Sequence, residues 1–273
     1  MAAKPQQGPI FIGGAGRSGT TLLRMMLDSH PNICCGPELK ILPDISRCLG
    51  LLLGPLRGVM EGYGNTPDQV RHHFCRLVEG LVENFLQASG KTRWAEKTPH
   101  NVLSMAALRN LFPEARFLHV IRDGRDVACS LVTMQWADPN TGRKVDYIQN
   151  IAKAARYWRQ IVEAGRKQAA SPNLAGRVLE VRYETLVLET EETLQKVLAF
   201  LEEPWHPGVL SYDGASHSPF PEPDESSTHQ ARKPVYHSSI GRWKTEMTEA
   251  DRAAFKHEAG QLLVTLGYTD PDW

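Results

Sequence analysis

A glycine-rich loop near the start of the chain constrains the fold more than any other stretch of the sequence. It follows an apolar run at residues 9–12 and leads into a helix-like stretch at residues 21–28. Its residues are Gly13, Gly14, Ala15, Gly16, Arg17, Ser18, Gly19, Thr20 and Thr21. A strand, a glycine-rich turn and a helix in this order cradle an anion, because glycine lets backbone N–H groups approach it and the helix start leaves N–H groups unpaired. The loop therefore predicts an α/β fold with a phosphate-type site.

The loop departs from the Walker A pattern at one position. From Gly14 it reads G-x-x-x-x-G-T-T, whereas Walker A reads G-x-x-x-x-G-K-[ST]. Thr20 stands where a lysine would reach the outer phosphates, so ATP or GTP hydrolysis is disfavoured. Arg17 supplies a planar cation for phosphate or sulfate oxygens instead. A P-loop-type small-molecule kinase, a non-catalytic nucleotide-binding protein and a turn that binds nothing stay open as alternatives.

The composition argues against several classes of partner. Lys+Arg and Asp+Glu both number 31 in the 273 residues, so no overall charge attracts nucleic acid or a membrane surface. No apolar stretch is long enough to span a bilayer, and the first residues lack the apolar core of a signal peptide. The five cysteines are odd in number and form no C-x-x-C, which predicts neither a disulfide framework nor a zinc site. We therefore expect a cytoplasmic protein without a metal.

The rest of the chain alternates strand and helix patterns. Besides the first run, β-rich apolar stretches predict strands at residues 93–99, 116–122 and 178–183. Helical patterns fall at residues 40–53, 68–88, 101–111 (capped by Asn101), 127–134, 146–169, 191–201 and 248–266. This alternation predicts a single domain over residues 1–273, with a central parallel sheet flanked by helices. Residues 1–8 are expected to be flexible, residues 54–67 to form a loop, and the Pro-rich residues 204–235 to form a lid-like segment.

Two sets of motifs at consistent places resemble the sulfotransferase family, whose sulfuryl donor is 3′-phosphoadenosine 5′-phosphosulfate (PAPS). The first set is the loop around Arg17 to Thr21, and the second is Arg-Asp-Gly-Arg-Asp at residues 122–126 with Ser130 after it. Residues 182–186 and 240–244 resemble the family segments beside the adenine and over the nucleotide. The resemblance implies the P-loop-like sulfotransferase fold, with PAPS as co-substrate, 3′,5′-adenosine bisphosphate (PAP) as product, and no metal.

The tyrosylprotein sulfotransferase branch of that family is resembled most closely, at residues 17–31, 35–38, 97–99, 227–230 with 233–235, and the ending at 266–268. Two departures matter. Cys35 stands where the branch has a disulfide cysteine, but Ala95 stands at the partner position. Of the two basic residues by which the branch holds acidic peptides, Lys40 is kept and the second is matched by Asp44. The second departure weakens the prediction of an acidic tyrosine peptide as acceptor.

The resemblance implies a role for each matching residue. Glu38 would be the general base that takes the proton of the acceptor hydroxyl, and Lys97 would stabilise the leaving phosphate. Arg17 would act in catalysis and, with Ser18, Gly19, Thr20 and Thr21, would hold the 5′-phosphosulfate. The 3′-phosphate would bind Arg122 and Ser130, unless Arg122 pairs with Asp123 or Asp126 in a structural network. The nucleotide would further contact Tyr183, Ser227 and Arg242.

The acceptor stays open between a phenol, a sugar or lipid hydroxyl and a peptide tyrosine. Residues 39–67 and 134–147 are predicted to line its side of the site, and Tyr63, Trp136 and Tyr147 either stack on a ring or pack internally. His119 is expected to be a core histidine, and Asp123 and Asp126 are expected to form ion pairs with the neighbouring arginines. A homodimer is one option for the oligomeric state.

Overall fold

Five parallel strands form the central sheet of the computed structural model, which describes residues 7–138, 141–221, 227–235, 237–270 and 273. The strands are β1 (Ile10–Gly14), β2 (Ile33–Cys35), β3 (Arg93–Lys97), β4 (Arg116–Ile121) and β5 (Val178–Arg182). Their order across the sheet is β2-β3-β1-β4-β5, and every neighbouring pair is parallel. The predicted α/β fold with a central parallel sheet is confirmed.

The central strand β1 sets the position of everything that follows. All five of its residues are buried, with Phe11 in the hydrophobic core on one face of the sheet and Ile10 and Ile12 in the core on the other. The chain leaves β1 toward β2 and β3 on one side and later returns as β4 and β5 on the other. In such sheets ligands bind beyond the carboxyl ends of the strands at this change of direction. The glycine-rich loop lies at that place.

Helices cover both faces of the sheet. In the described residues they are α1 (Thr20–Asp28), α2 (Leu42–Leu53), α3 (Arg57–Gly62), α4 (Pro67–Ser89), α5 (Met105–Leu111), α6 (Gly124–Val132), α7 (Ile151–Ala169), α8 (Tyr183–Leu188), α9 (Thr190–Leu201), α10 (Thr228–Ala231), α11 (Trp243–Glu246) and α12 (Glu249–Thr265). Helix α7 packs between α6 and α12 over one face, while α1, α8 and α9 pack against the other. No described helix combines the length and apolar character that crossing a membrane requires.

Helices α3 and α4, which we call the outer helical lobe, contribute little to the core. None of the residues of α3 is buried, and of the 23 residues of α4 only Val70 and Val78 are. Leu77 and Leu81 of α4 are each 51% exposed. A capping box at Thr66 starts α4 and stabilises its first turn locally.

The structure differs from the sequence-based expectations in local details. The predicted loop at residues 54–67 contains α3, and the short strand β2 was not predicted. Asn101 does not cap a helix, because it lies inside a 3₁₀ turn (Pro99–Leu103) that precedes α5. The lid-like segment holds two 3₁₀ turns and α10, and its residues 222–226 lie outside the described part. So do residues 1–6 of the expected flexible start, whereas the carbonyl of Gly8 accepts a hydrogen bond from Arg93 Nε at 2.7 Å.

The register between β2 and β3 shows which residue lies opposite Cys35. Cys35 of β2 lies directly across from Ala95 of β3, so the position that would complete a cross-strand disulfide holds a methyl group. All five cysteines are free thiols, and burial raises the pKa of Cys35 well above its ordinary value. Cys35 is therefore an inert core residue of the protein.

Candidate active site

The glycine-rich loop joins β1 to α1, and its geometry suits an anion. Arg17 has a left-handed backbone (φ 71°), and Gly19 precedes α1 with φ 94° and no side-chain cap. The first turn of α1 holds no acidic residue, so its N–H groups and the positive end of its dipole face the loop uncompensated. The Ser18 hydroxyl is fully buried and has no hydrogen-bond partner among the described residues. An anion in this loop would satisfy these donors.

Both the backbone conformation and a close side-chain contact favour glycine at position 19. A Cβ at this position would lie 2.3 Å from Cδ2 of the Tyr183 ring. The Tyr183 hydroxyl makes a 2.7 Å hydrogen bond with Ser239 Oγ, and the Arg122 guanidinium lies 4.4 Å from the centre of the Tyr183 ring. Tyr183 therefore packs between the phosphate loop and Arg122.

Arg17 connects three parts of the chain that the sequence assigned to donor binding. Its Nε donates to Ser130 Oγ at 3.0 Å, and a terminal nitrogen donates to Ser227 Oγ. Ser130 lies on α6, just after β4, and Ser227 precedes α10. The loop residue and the residue predicted to hold the 3′-phosphate are thus in contact, and the two predicted anion sites adjoin.

Arg122 directly follows β4 and lies on the other side of the same cluster. Its guanidinium donates to the backbone carbonyl of Arg17 at 3.1 Å and to that of Ser239. The alternative in which Arg122 pairs with Asp123 or Asp126 required hydrogen bonds to those carboxylates. The hydrogen bonds of Arg122 run to backbone carbonyls instead. The buried Nε of Arg122 has no partner in the described part of the chain, which leaves a donor for a ligand.

The two aspartates that follow Arg122 behave differently from each other. Asp123 forms the expected ion pair, at 2.7 Å from Arg125. Asp126 was also expected to pair with an arginine, but its hydrogen-bond partners are backbone groups. Its carboxylate accepts the N–H groups of Gly241 at 2.7 Å and of Trp243 at 3.0 Å. Burial raises the pKa of Asp126, and these two hydrogen bonds oppose the rise. Asp126 thereby holds residues 240–244, which we call the closing segment, against α6.

Most residues predicted to bind the donor line one cavity at the carboxyl edge of β1 and β4. They are Arg17, Gly19, Thr20, Thr21, Arg122, Ser130, Tyr183, Ser227 and Arg242. The Arg242 side chain also donates to Glu246 at 2.8 Å. The described residues hold no group of three His, Cys, Asp or Glu side chains arranged for a metal ion.

Glu38 and Lys97 lie on the β3 side of the loop. Lys97 is the last residue of β3, pairs in register with Ile12 of β1 and is 1% exposed. Its Nζ donates to Glu38 Oε1, and Lys40 Nζ lies 3.7 Å from Glu38 Oε2. The structure therefore places the predicted base and the predicted leaving-group stabiliser in direct contact, beside the strand that leads into the loop.

Sequence reasoning missed Tyr157 and His100, which lie between the glycine-rich loop and Glu38. The Tyr157 hydroxyl of α7 accepts the backbone N–H of Gly16 at 3.1 Å and lies 3.4 Å from His100 Nε2. Tyr147 stacks on Tyr157 with ring centres 4.0 Å apart. Burial raises the pKa of both tyrosines, and the nearby charge of Glu38 adds to it. No local motif marks Tyr157 or His100, because their role arises from packing between distant segments.

Comparisons with known proteins agree with this geometry. Residues 9–207 match the family model described as "Sulfotransferase family". The chain is 30% identical to a protein-tyrosine sulfotransferase of Drosophila melanogaster, with 96% of this chain and 52% of that protein covered. It is 32% identical to protein-tyrosine sulfotransferase 2 of Gallus gallus and 32% identical to protein-tyrosine sulfotransferase 1 of Homo sapiens. Those matches cover 96% of this chain and 69% and 70% of the relatives. The chain thus spans about half the length of the Drosophila relative and about 70% of the two vertebrate ones.

Solved structures share the fold. The sulfotransferase domain of the Synechococcus olefin synthase superposes with a TM-score of 0.65 at 24% identity, covering 98% of each chain. A mouse sulfotransferase complexed with PAP superposes with a TM-score of 0.55 at 14% identity, covering 93% of this chain and 84% of that one. The family model and the vertebrate relatives together establish that this chain belongs to the sulfotransferase family and is an enzyme of that class.

Proposed function

We propose that the protein transfers a sulfuryl group from PAPS to an acceptor hydroxyl, with Glu38 as general base and Lys97 as stabiliser of the leaving phosphate. The observation that carries this proposal is the contact of the Glu38 carboxylate with the buried Lys97 ammonium, beside a loop whose Ser18 hydroxyl is buried without a hydrogen-bond partner in the described residues. A base, a cation and an anion cradle at one sheet edge are the parts that in-line group transfer needs.

The residues present fit the donor. The unpartnered Ser18 hydroxyl and the N–H groups of the α1 start suit the 5′-phosphosulfate, and the unpartnered Nε of Arg122 with Ser130 suits the 3′-phosphate. The contact of Arg17 with Ser130 supports a role for one guanidinium at both anions. The mouse sulfotransferase with the same fold was solved with PAP, the product of such a donor.

The chemistry follows from these positions. The acceptor oxygen forms a bond to sulfur while the bond between sulfur and the phosphate oxygen breaks, and the hydroxyl proton passes to the Glu38 carboxylate. Negative charge builds on the departing phosphate, and the Lys97 ammonium neutralises it in a site where burial strengthens the attraction. Arg17 holds the group in line by a planar, charge-assisted contact.

A phenol or a tyrosine side chain is the acceptor that we propose. Trp136, Tyr147 and Tyr157 form a chain of ring contacts on the side where the charge of Glu38 is felt, and such rings favour a planar aromatic partner. The vertebrate relatives are named for tyrosine. An acidic peptide is disfavoured, because Asp44 replaces a cation and itself pairs with Arg47 at 2.9 Å.

Calorimetric titration with PAP tests the donor assignment. We expect tight PAP binding, no comparable binding of ATP with magnesium, and binding of AMP weaker by roughly 100-fold because the contacts of the 3′-phosphate are missing. Equal affinities for PAP and AMP would remove Arg122 and Ser130 from the 3′-phosphate site. Preference for magnesium-ATP would favour the kinase alternative.

Transfer from labelled PAPS to p-nitrophenol and to tyrosine-containing peptides tests the catalytic assignment. Glu38→Gln is expected to lower kcat by roughly 100- to 10,000-fold, the usual contribution of a general base, with PAP affinity unchanged. Glu192→Gln, a change at an exposed glutamate of α9, serves as the matched control and should retain full activity. Normal turnover by Glu38→Gln would exclude Glu38 as the base.

A further inference from the structure

A second glutamate lies beside the proposed base and takes no part in the transfer described above. Glu96 precedes Lys97 in β3 and is only 2% exposed. Its carboxylate accepts hydrogen bonds from the backbone N–H of Leu39 at 3.0 Å, from Thr98 Oγ1 at 2.7 Å and from Asn101 Nδ2 at 2.5 Å. Three donors therefore satisfy both oxygens of this buried carboxylate. A glutamine in its place would offer one oxygen and an NH₂ group, so it could not accept the same three hydrogen bonds.

Thr98 continues this arrangement along the chain that follows Glu38. Its hydroxyl oxygen accepts the backbone N–H of Lys40 at 3.2 Å, which directs the hydroxyl proton to Glu96. Lys40 has a left-handed backbone, with φ 57°, a conformation that a residue with a Cβ adopts only when its surroundings hold it. The hydrogen bond from Lys40 to Thr98 is one such restraint.

Asn101 ties the same network to the phosphate loop. Its Nδ2 donates to Glu96 and also to the backbone carbonyl of Ile12 at 3.3 Å. Ile12 lies in β1, two residues before Gly14, where the loop begins. The buried side chains of Glu96, Thr98 and Asn101 therefore connect the backbone after Glu38 to the end of β1, from which the glycine-rich loop starts.

We infer that Glu96 and Thr98 are positioning residues that hold the backbone after Glu38, so that its carboxylate stays against Lys97. Within the tripeptide at residues 96–98, the middle side chain contacts the Glu38 carboxylate while the two outer side chains bind the backbone N–H groups of Leu39 and Lys40. The end of β3 thus supplies Lys97, which contacts Glu38, and also the side chains that hold the backbone next to Glu38. The inference rests on the proposed function, in which Glu38 accepts the acceptor proton.

Amide hydrogen exchange tests the positioning without any substrate. Thr98→Val keeps the shape of the side chain but loses its hydroxyl, so exchange of the Lys40 amide should accelerate by about tenfold, the effect of one lost hydrogen bond. A smaller increase is expected at the Leu39 amide, because its acceptor Glu96 loses one of its donors. Thr98→Ser restores the hydroxyl and should restore protection. Thr193→Val, which removes another buried hydroxyl that donates to Thr185 in α8, is the matched control. Unchanged exchange at both amides in Thr98→Val would overturn the inference.

Steady-state kinetics then tests whether the support acts through Glu38. With p-nitrophenol as acceptor, Glu96→Gln should lower kcat by about 100-fold while the KM for PAPS and the affinity for PAP stay within about twofold, because misplacement of a base affects the transition state and not donor binding. In a Glu38→Gln background the same change should have no further effect on kcat. Equal losses in both backgrounds, or a parallel fall in PAP affinity, would show that Glu96 acts elsewhere.

The two measurements separate the inference from the proposed function. If the wild-type protein binds PAP but sulfates neither p-nitrophenol nor a tyrosine peptide, the proposed acceptor class fails, and amide exchange still decides whether Glu96 and Thr98 hold residues 39–40. If transfer is normal in Thr98→Val despite faster exchange, the proposed function stands and the positioning role is refuted.

Discussion

His119 makes folding stability depend on pH in a way that can be calculated from its surroundings. It lies on β4, has no exposed surface, and neither ring nitrogen has a hydrogen-bond partner among the described residues. Gly165 of α7 packs against the ring so closely that a Cβ there would lie 2.6 Å from it. Burial, with a smaller contribution from the charge of Arg166, lowers the pKa of His119 from 6.5 to about 4.

The direction of the effect follows from proton binding. Unfolded His119 takes up a proton near pH 6.5, whereas the folded residue stays neutral until about pH 4. Between these values the unfolded state binds more protons, so acidification favours unfolding. At pH 5 this linkage lowers the free energy of unfolding by about 2 kcal/mol relative to pH 7, or about 4–8 °C in Tm for a domain of this size.

Urea denaturation of wild type and His119→Leu at pH 7, 6 and 5 measures this contribution directly. Other titrating groups are common to both proteins, so the difference between their free energies of unfolding isolates His119. We expect the wild type to lose about 2 kcal/mol more than the variant between pH 7 and pH 5. The exposed His257→Gln change should leave the pH dependence of the wild type intact. Parallel curves for wild type and His119→Leu would refute the reasoning.

Two further predictions concern donor binding. Gly19→Ala places a Cβ against the Tyr183 ring at a φ of 94°, and calorimetry should show PAP affinity reduced by at least about tenfold, whereas Gly58→Ala, in an open part of α3, should bind normally. Unchanged affinity in Gly19→Ala would contradict the close packing of the loop. Asp126→Ala leaves two backbone N–H groups of the closing segment without acceptors, so PAP should bind about tenfold more weakly and limited proteolysis should cut this segment sooner. Wild-type cleavage and affinity would show that other contacts hold the segment.

The clustering of Arg17, Arg122 and Ser130 could be predicted from the sequence because its signals are local. The loop between β1 and α1 carries its chemistry in consecutive residues, and Arg122 with Ser130 spans one strand end and the next helix. The resemblance to the sulfotransferase family added Glu38 and Lys97, which the structure places in contact. Neither residue would have been distinguished by spacing alone from an ordinary surface carboxylate or lysine.

What the sequence could not predict depends on contacts between distant segments. Tyr157 looks like one more apolar position of an amphipathic helix, yet its hydroxyl binds Gly16. Asp126 was expected to pair with a neighbouring arginine, but its carboxylate accepts N–H groups from the closing segment far along the chain. Strand β2 has three residues, too few for an alternation pattern, and helix α3 lies in a stretch rich in glycine.

The sparse packing of the outer helical lobe has a consequence for how the molecule moves. The free energy needed to open part of a protein grows with the apolar surface that the part buries, and α3 with α4 bury very little. Local opening of the lobe is therefore expected to need less free energy than opening of β1 or α1, whose residues are almost all buried. Leu81 and Phe85 of α4 line one cavity with Pro37 and Leu39, the two residues that flank Glu38, so such opening would reach the backbone beside the proposed base. Substitutions in α3 and α4 are accordingly expected to reshape this cavity at little cost to the stability of the sheet.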